Sequence, residues 1–122
     1  MRIAIDWDDS FEYEHNQEEA LKWIKDGHYV EIVTTRFEDP SKYTWFKADK
    51  NMNEPLYEFA KKAGISYHFM NYTHKASYVD DKFDYLVDDN DEEGQLLNKC
   101  RFISVYQIEQ FTERLLNEAK NV

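Results

Sequence analysis

The chain has 122 residues, a formal net charge of −10 and 16% aromatic residues, against three glycines, two prolines and one cysteine. That is one domain's length of chain, with enough aromatic weight for a single ordered core and too little Gly and Pro for a linker-rich one. The acidic balance disfavours extended nucleic acid and anionic membranes, no apolar run approaches the roughly 18 residues of a membrane span, and the amino terminus reads as a strand rather than a leader, so a cytoplasmic protein is expected.

In chain order, Ile3-Ala4-Ile5 is a short apolar run that reads as a buried strand and delivers Asp6, Asp8 and Asp9 close behind its end. Like charges this close raise one another's pKa, which points to a bound cation, a shared proton or exposure at a loop tip. Phe11 to Glu14 alternates too briefly for a strand and reads as a flap or loop. Asn16, with Glu19 at capping-box spacing, predicts a helix that carries Ala20, Leu21 and Ile24 on one face and ends at Gly27. Residues 29–33 are β-branched and aromatic and read as a second strand, followed by Thr34, Thr35 and Arg36.

Asp39-Pro40 looks like a cap followed by Pro at the first helical position, so 41–47 is expected to be a short helix carrying Tyr43, Trp45 and Phe46. Asn53 is expected to cap a helix in which Leu56, Phe59, Ala60 and Ala63 share one face before Gly64. A third strand is expected within 65–72, then a loop with His74 and Lys75 and a helical turn or two over 75–82. Tyr85-Leu86-Val87 is a second apolar run ending in acid, here Asp88 and Asp89. A helix over 92–99, a strand over 101–105 and a closing helix with Ile108, Phe111, Leu115 and Ala119 on one face complete the chain. The single Cys100, at the start of that last strand, excludes an intrachain disulfide and reads as a buried structural thiol.

Strands alternating with helices at this spacing predict an α/β fold, with a mainly parallel five-stranded sheet covered on both faces. In such a sheet ligands sit beyond the carboxyl ends of the strands, where the acidic clusters would lie. Four strand-end positions then follow in order: Asp6 and Asp8, Thr34, Lys75 ahead of a strand, and Asp88 with Asp89. Singly, each is an ordinary solvated turn or loop residue. Together they supply what phosphoryl transfer needs, namely a carboxylate nucleophile, a divalent cation's ligands, a hydroxyl and an ammonium. The four histidines show no metal spacing, so zinc is not expected.

In this order, D-x-D-x-S, a strand-end Thr, a Lys and an Asp-Asp pair, the sequence resembles the haloacid-dehalogenase-like phosphohydrolases over residues 2 to about 91. The resemblance implies a three-layer Rossmann-like fold and a Mg²⁺-dependent phosphatase working through an aspartyl-phosphate. Asp6 would be the nucleophile and a metal ligand. Asp8 would be the general acid and base, its backbone carbonyl completing the metal shell. Asp89 is the preferred direct ligand and Asp88 the alternative, with Mg²⁺ keeping several waters. Thr34 and Lys75 would bind the phosphoryl oxygens.

Asp9 departs from the pattern, since active members commonly carry Gly there, and Ser10 stands for the usual Thr. The helix expected from Asn16 and the short 64–75 segment leave no room for a substantial cap, which implies an open site. Capless relatives act on large substrates or take a lid from a neighbouring subunit, so a homo-oligomer fits this reading. The expected substrate is a small phosphate ester or a nucleotide, the latter because Lys75, the apolar strand and the Asp pair are similar to the 5'(3')-deoxyribonucleotidase branch. Tyr43, Trp45 and Phe46 could stack a base, although core packing is the preferred reading for them. The alternative is a non-catalytic or regulatory relative that binds metal and phosphate with little turnover. A phospho-receiver domain is disfavoured, because there Thr and Lys would follow the second acidic position rather than precede it.

Overall fold

The computed structural model describes residues 1–120, with side chains to 118. Five strands, β1 (Arg2–Ile5), β2 (Tyr29–Thr34), β3 (Ser66–Phe69), β4 (Tyr85–Asp88) and β5 (Arg101–Ser104), pair in parallel in the order β3-β2-β1-β4-β5. The fold is α/β with three layers, as expected. Helices α1 (Glu14–Lys25), α2 (Glu54–Ala63) and α5 (Ile108–Lys120) cover one face, and the short α3 (Ala76–Val79) and α4 (Asp91–Gln95) cover the other. No separate cap is evident among the described residues. Nor is any helix among them long and apolar enough to cross a membrane.

The two faces follow from the two-residue period of the strands. Ile3 and Ile5, Val30 and Ile32, and Tyr85 and Val87 point into the larger core, with Trp23, Leu56, Phe59 and Phe111 from the helices. Trp23 is fully buried, takes the edges of Phe11 and Phe111 at centroid distances of 5.9 and 5.2 Å, and donates its Nε1 hydrogen to Thr112 Oγ1 at 2.8 Å. The alternate residues Ala4, Val33 and Leu86 point the other way, into a smaller core with Met70, Val79, Phe83 and Cys100. Cys100 is buried as expected, and burial pushes its thiol pKa up to about 12. Ala119, expected on the buried face of α5, lies outside the residues whose side chains are described.

Several local expectations give way to tertiary demands. Helix α1 starts two residues before Asn16, with Tyr13 at its N-cap, because the Asn16 amide finds a better partner in the Ser10 carbonyl at 2.7 Å. Asn53 does precede α2, but its side chain does not cap it and instead donates to the carbonyls of Phe37 and Glu38. The 41–47 segment forms only one 3₁₀ turn, Pro40–Lys42, capped by Asp39 on the Ser41 N–H. Its aromatics leave the helical path to gather around Tyr43, which is buried while Trp45 and Phe46 stay half exposed. Helix α4 is shorter than expected and lies close on β5: a Cβ at Gly94 would fall 2.6 Å from the Phe102 ring.

Candidate active site

Strand register brings the two acidic runs together. β1 lies beside β4 with Ile5 opposite Val87, and the Asp6 N–H donates to the Val87 carbonyl at 3.0 Å, so Asp6 and Asp88 leave neighbouring strands side by side. Alternation puts Asp6 on the side of Ala4 and Asp88 on the side of Leu86, the face covered by α3. There Lys75, immediately before α3, turns its ammonium inward and donates to Asp6 Oδ1 at 2.5 Å and Asp88 Oδ2 at 2.7 Å, with its side chain only 3% exposed. Asp89 is joined to Asp6 through Ser10, whose Oγ lies 3.1 Å from an oxygen of each. One carboxylate oxygen from each of Asp6, Asp88 and Asp89 comes within 4.8 Å of the others.

The turn that carries the first acids is built by sorting polar from apolar residues. Trp7 and Phe11 bury their rings in the larger core, against Phe59 and Trp23, while Asp6 and Ser10 bond in the cluster. Hydrogen bonds from Phe11 N–H to the Asp6 carbonyl and from Glu12 N–H to the Trp7 carbonyl close the turn widely. The tight point falls at Asp9, which takes φ +56° and ψ +17° and is exposed. Asp tolerates this left-handed conformation better than most side chains, and here Glu12 accepts its N–H at 2.8 Å and Tyr13 donates to its carboxylate at 3.2 Å.

Asp8 meets a partner that strand-end order did not reveal. Arg36 holds both its oxygens, Nε at 3.1 and 3.0 Å and Nη2 at 2.6 Å, and anchors itself on the Met52 carbonyl and Asn53 Oδ1. The Asp8 carboxylate therefore stands outside the cluster of the other three aspartates, which leaves only its backbone carbonyl, as expected, for a metal shell. Thr34 also departs from expectation. It falls on the Ile32 side of β2, is fully buried, and accepts the Arg36 N–H, whereas Thr35 lines the cleft over the aspartates. His74, beside Lys75, is exposed and lies 3.8 Å from Glu93.

Burial drives the electrostatics. It pushes the Asp6 carboxyl well above its usual range, with Asp88 adding to the effect and Lys75 opposing it. Burial also works against the Lys75 ammonium, but Asp6 and Asp88 outweigh it and raise its pKa. Asp89, despite its own partial burial, is held below the usual carboxylate range by hydrogen bonds with Asp6, Asp88 and Ser10.

Comparison with protein-family models, with curated proteins and with solved structures finds no match.

The site's own chemistry narrows what it could hold. Three carboxylates lie together with one ammonium, which donates to two of them, and the group carries a formal charge of −2, equal and opposite to one divalent cation. All the donors are hard oxygens, the set that suits Mg²⁺. The cleft over them has a volume of about 150 Å³, phosphate-sized rather than substrate-sized. Thr35, Arg36 and Glu93 were not anticipated in the site, and Ser10 entered it only as the last position of the D-x-D-x-S pattern. Thr35 and Arg36 carry a signal, both following directly on the strand end that bears Thr34. Glu93, which accepts the Lys75 N–H at 3.0 Å, carries none.

Proposed function

We propose that the chain is a Mg²⁺-dependent phosphomonoesterase of the haloacid-dehalogenase-like type, acting on a small phosphate ester or nucleotide. The observation that supports this best is the convergence of Asp6, Asp88 and Asp89, the first two on a buried Lys75, beside the central strand at the carboxyl edge of a parallel sheet. A Mg²⁺ held by Asp6, Asp89 and Asp88 would neutralise charge on the transferring phosphoryl group. An Asp6 oxygen attacks phosphorus in line and the ester P–O bond breaks, the departing alkoxide taking a proton from Asp8. Water then cleaves the aspartyl-phosphate, giving its proton to Asp8 and returning Asp6. Lys75 and Thr35 hold phosphoryl oxygens, Lys75 also aiming Asp6 through their hydrogen bond.

Mg²⁺-dependent release of phosphate from p-nitrophenyl phosphate and a nucleotide panel tests this, with Asp6→Asn as control. Hydrolysis abolished by that substitution supports the proposal, and hydrolysis that survives it rejects Asp6 as nucleophile. One observation favours a second reading, in which metal and phosphate bind with little turnover: Asp8 is clamped by Arg36 and must turn away before it can give up a proton. Under that reading the panel shows no turnover, while phosphate still binds in the presence of Mg²⁺.

A further inference from the structure

Beside the phosphate-sized cleft lies a much larger groove, about 630 Å³, and the two share Asp9 and Asp89 as walls. It runs between the start of α1 and the start of α5. Tyr13 and Tyr106 flank it, and the His15–Glu109 pair, 3.3 Å apart, forms part of its lining. Its size is that of small-molecule sites, whereas the cleft alone would hold little beyond the phosphoryl group. Whatever is esterified to that group needs a place, and this groove adjoins the cleft at Asp9 and Asp89.

The lining says what kind of leaving group would be accepted. Tyr106 is 79% exposed and Tyr13 52%, and among the described residues neither ring packs on another aromatic ring. By contrast Trp45, Phe46 and Tyr72, the exposed rings near β2, pack around Tyr43 and one another at centroid distances of 5.0 to 5.7 Å, so those faces already have partners. The groove's charged walls are Asp9, Asp89 and Glu109, no Lys or Arg lines it, and its one histidine already faces Glu109. An anionic leaving group there would face the Asp9 and Glu109 carboxylates with no Lys or Arg to offset them. A cationic one would meet tyrosine faces and an acid, the combination that holds ammonium groups.

We propose that this groove binds the leaving-group end of the substrate and selects a phosphomonoester whose alcohol carries an ammonium over one that carries an anion. This rests on the phosphatase reading for the cleft, and the two are tested separately. Equilibrium binding of phosphocholine, glycerol 3-phosphate and 3-phosphoglycerate to the Asp8→Asn chain with Mg²⁺, which lacks the general acid but keeps the three carboxylates that would hold the metal, addresses the groove by titration calorimetry. The expected result is binding tightest for phosphocholine and about tenfold weaker for 3-phosphoglycerate, with Tyr106→Ala bringing the two within about twofold of each other. Equal or reversed affinities, or an order unchanged by Tyr106→Ala, would overturn the proposal. So would loss of the preference on Trp45→Ala instead, which would seat the leaving group on the aromatic cluster. The phosphatase reading fails on its own terms if the unmodified chain releases no phosphate from acetyl phosphate or p-nitrophenyl phosphate, whatever the binding order.

Discussion

At the carboxyl ends of the strands Asp6, Asp88 and Asp89 crowd around one lysine; at the amino ends Asp80, Asp81 and Asp84 form an equally acidic group with a different fate. Each acid of the second group has its own partner. Asp80 accepts the backbone N–H groups of Asn98, Lys99 and Cys100 on one oxygen at 2.8 to 3.0 Å. Asp81 pairs with the Lys99 ammonium at 2.8 Å, and Asp84 accepts the Arg2 N–H at 2.7 Å. Acid count does not separate the two edges. What separates them is that the first group is largely buried with fewer cations than carboxylates, while the second is wet and satisfied residue by residue. That imbalance, more than the presence of aspartates, makes the carboxyl edge the candidate site.

Substitutions and titrations can break this contrast, and the largest effect belongs to Lys75. Lys75→Met leaves Asp6 and Asp88 buried against each other without their ammonium, and should cost about 3–5 kcal/mol in urea denaturation at neutral pH without divalent ions. A much smaller loss would mean that the carboxyl-edge acids do not depend on that cation. Next comes Mg²⁺ itself: at ten times its Kd it should stabilise the native chain by about 1.4 kcal/mol. Asp89→Asn should remove most of that gain and Asp81→Asn none of it, read as the shift in thermal midpoint with added Mg²⁺.

The pH dependence of the amino edge is a subtler test. The N–H groups of Lys99 and Cys100 hold the Asp80 carboxyl below its usual range. A depressed folded pKa means that Asp80 contributes stability fully above its unfolded value, near 3.9, and loses that contribution as pH falls through the folded value. Asp80→Asn should therefore destabilise the chain at pH 7, and the difference from the native chain should shrink towards nothing in the acid range. The smallest effect is expected for Asp81→Asn alone. Its pair with Lys99 is about three-quarters exposed on both sides, and the urea midpoint should not move measurably.

Much of the frame was legible along the chain. Apolar triplets at 3–5 and 85–87 read as strands because strand cores need only a few consecutive apolar residues, and their acidic ends read as one edge once helices were seen between them. Errors fell where a side chain had a choice of partner. Asn16 and Asn53 carry cap chemistry but spend it on carbonyls outside their helices, and the aromatics of 43–46 chose one another over a helix. Asp9 was the opposite case, a departure from the expected Gly that the backbone accommodates at a positive φ.

By itself the sequence determined which acids end which strands, since that depends only on local pattern and order. Which cation each acid meets was decided by tertiary structure. Lys75 reaches Asp6 across 69 residues and Arg36 reaches Asp8 across 28, distances that only parallel register and the side of the sheet taken by α3 can close. Side-chain alternation then sends Thr34 into the core and leaves Thr35 at the cleft, a difference of one residue that no composition or spacing encodes.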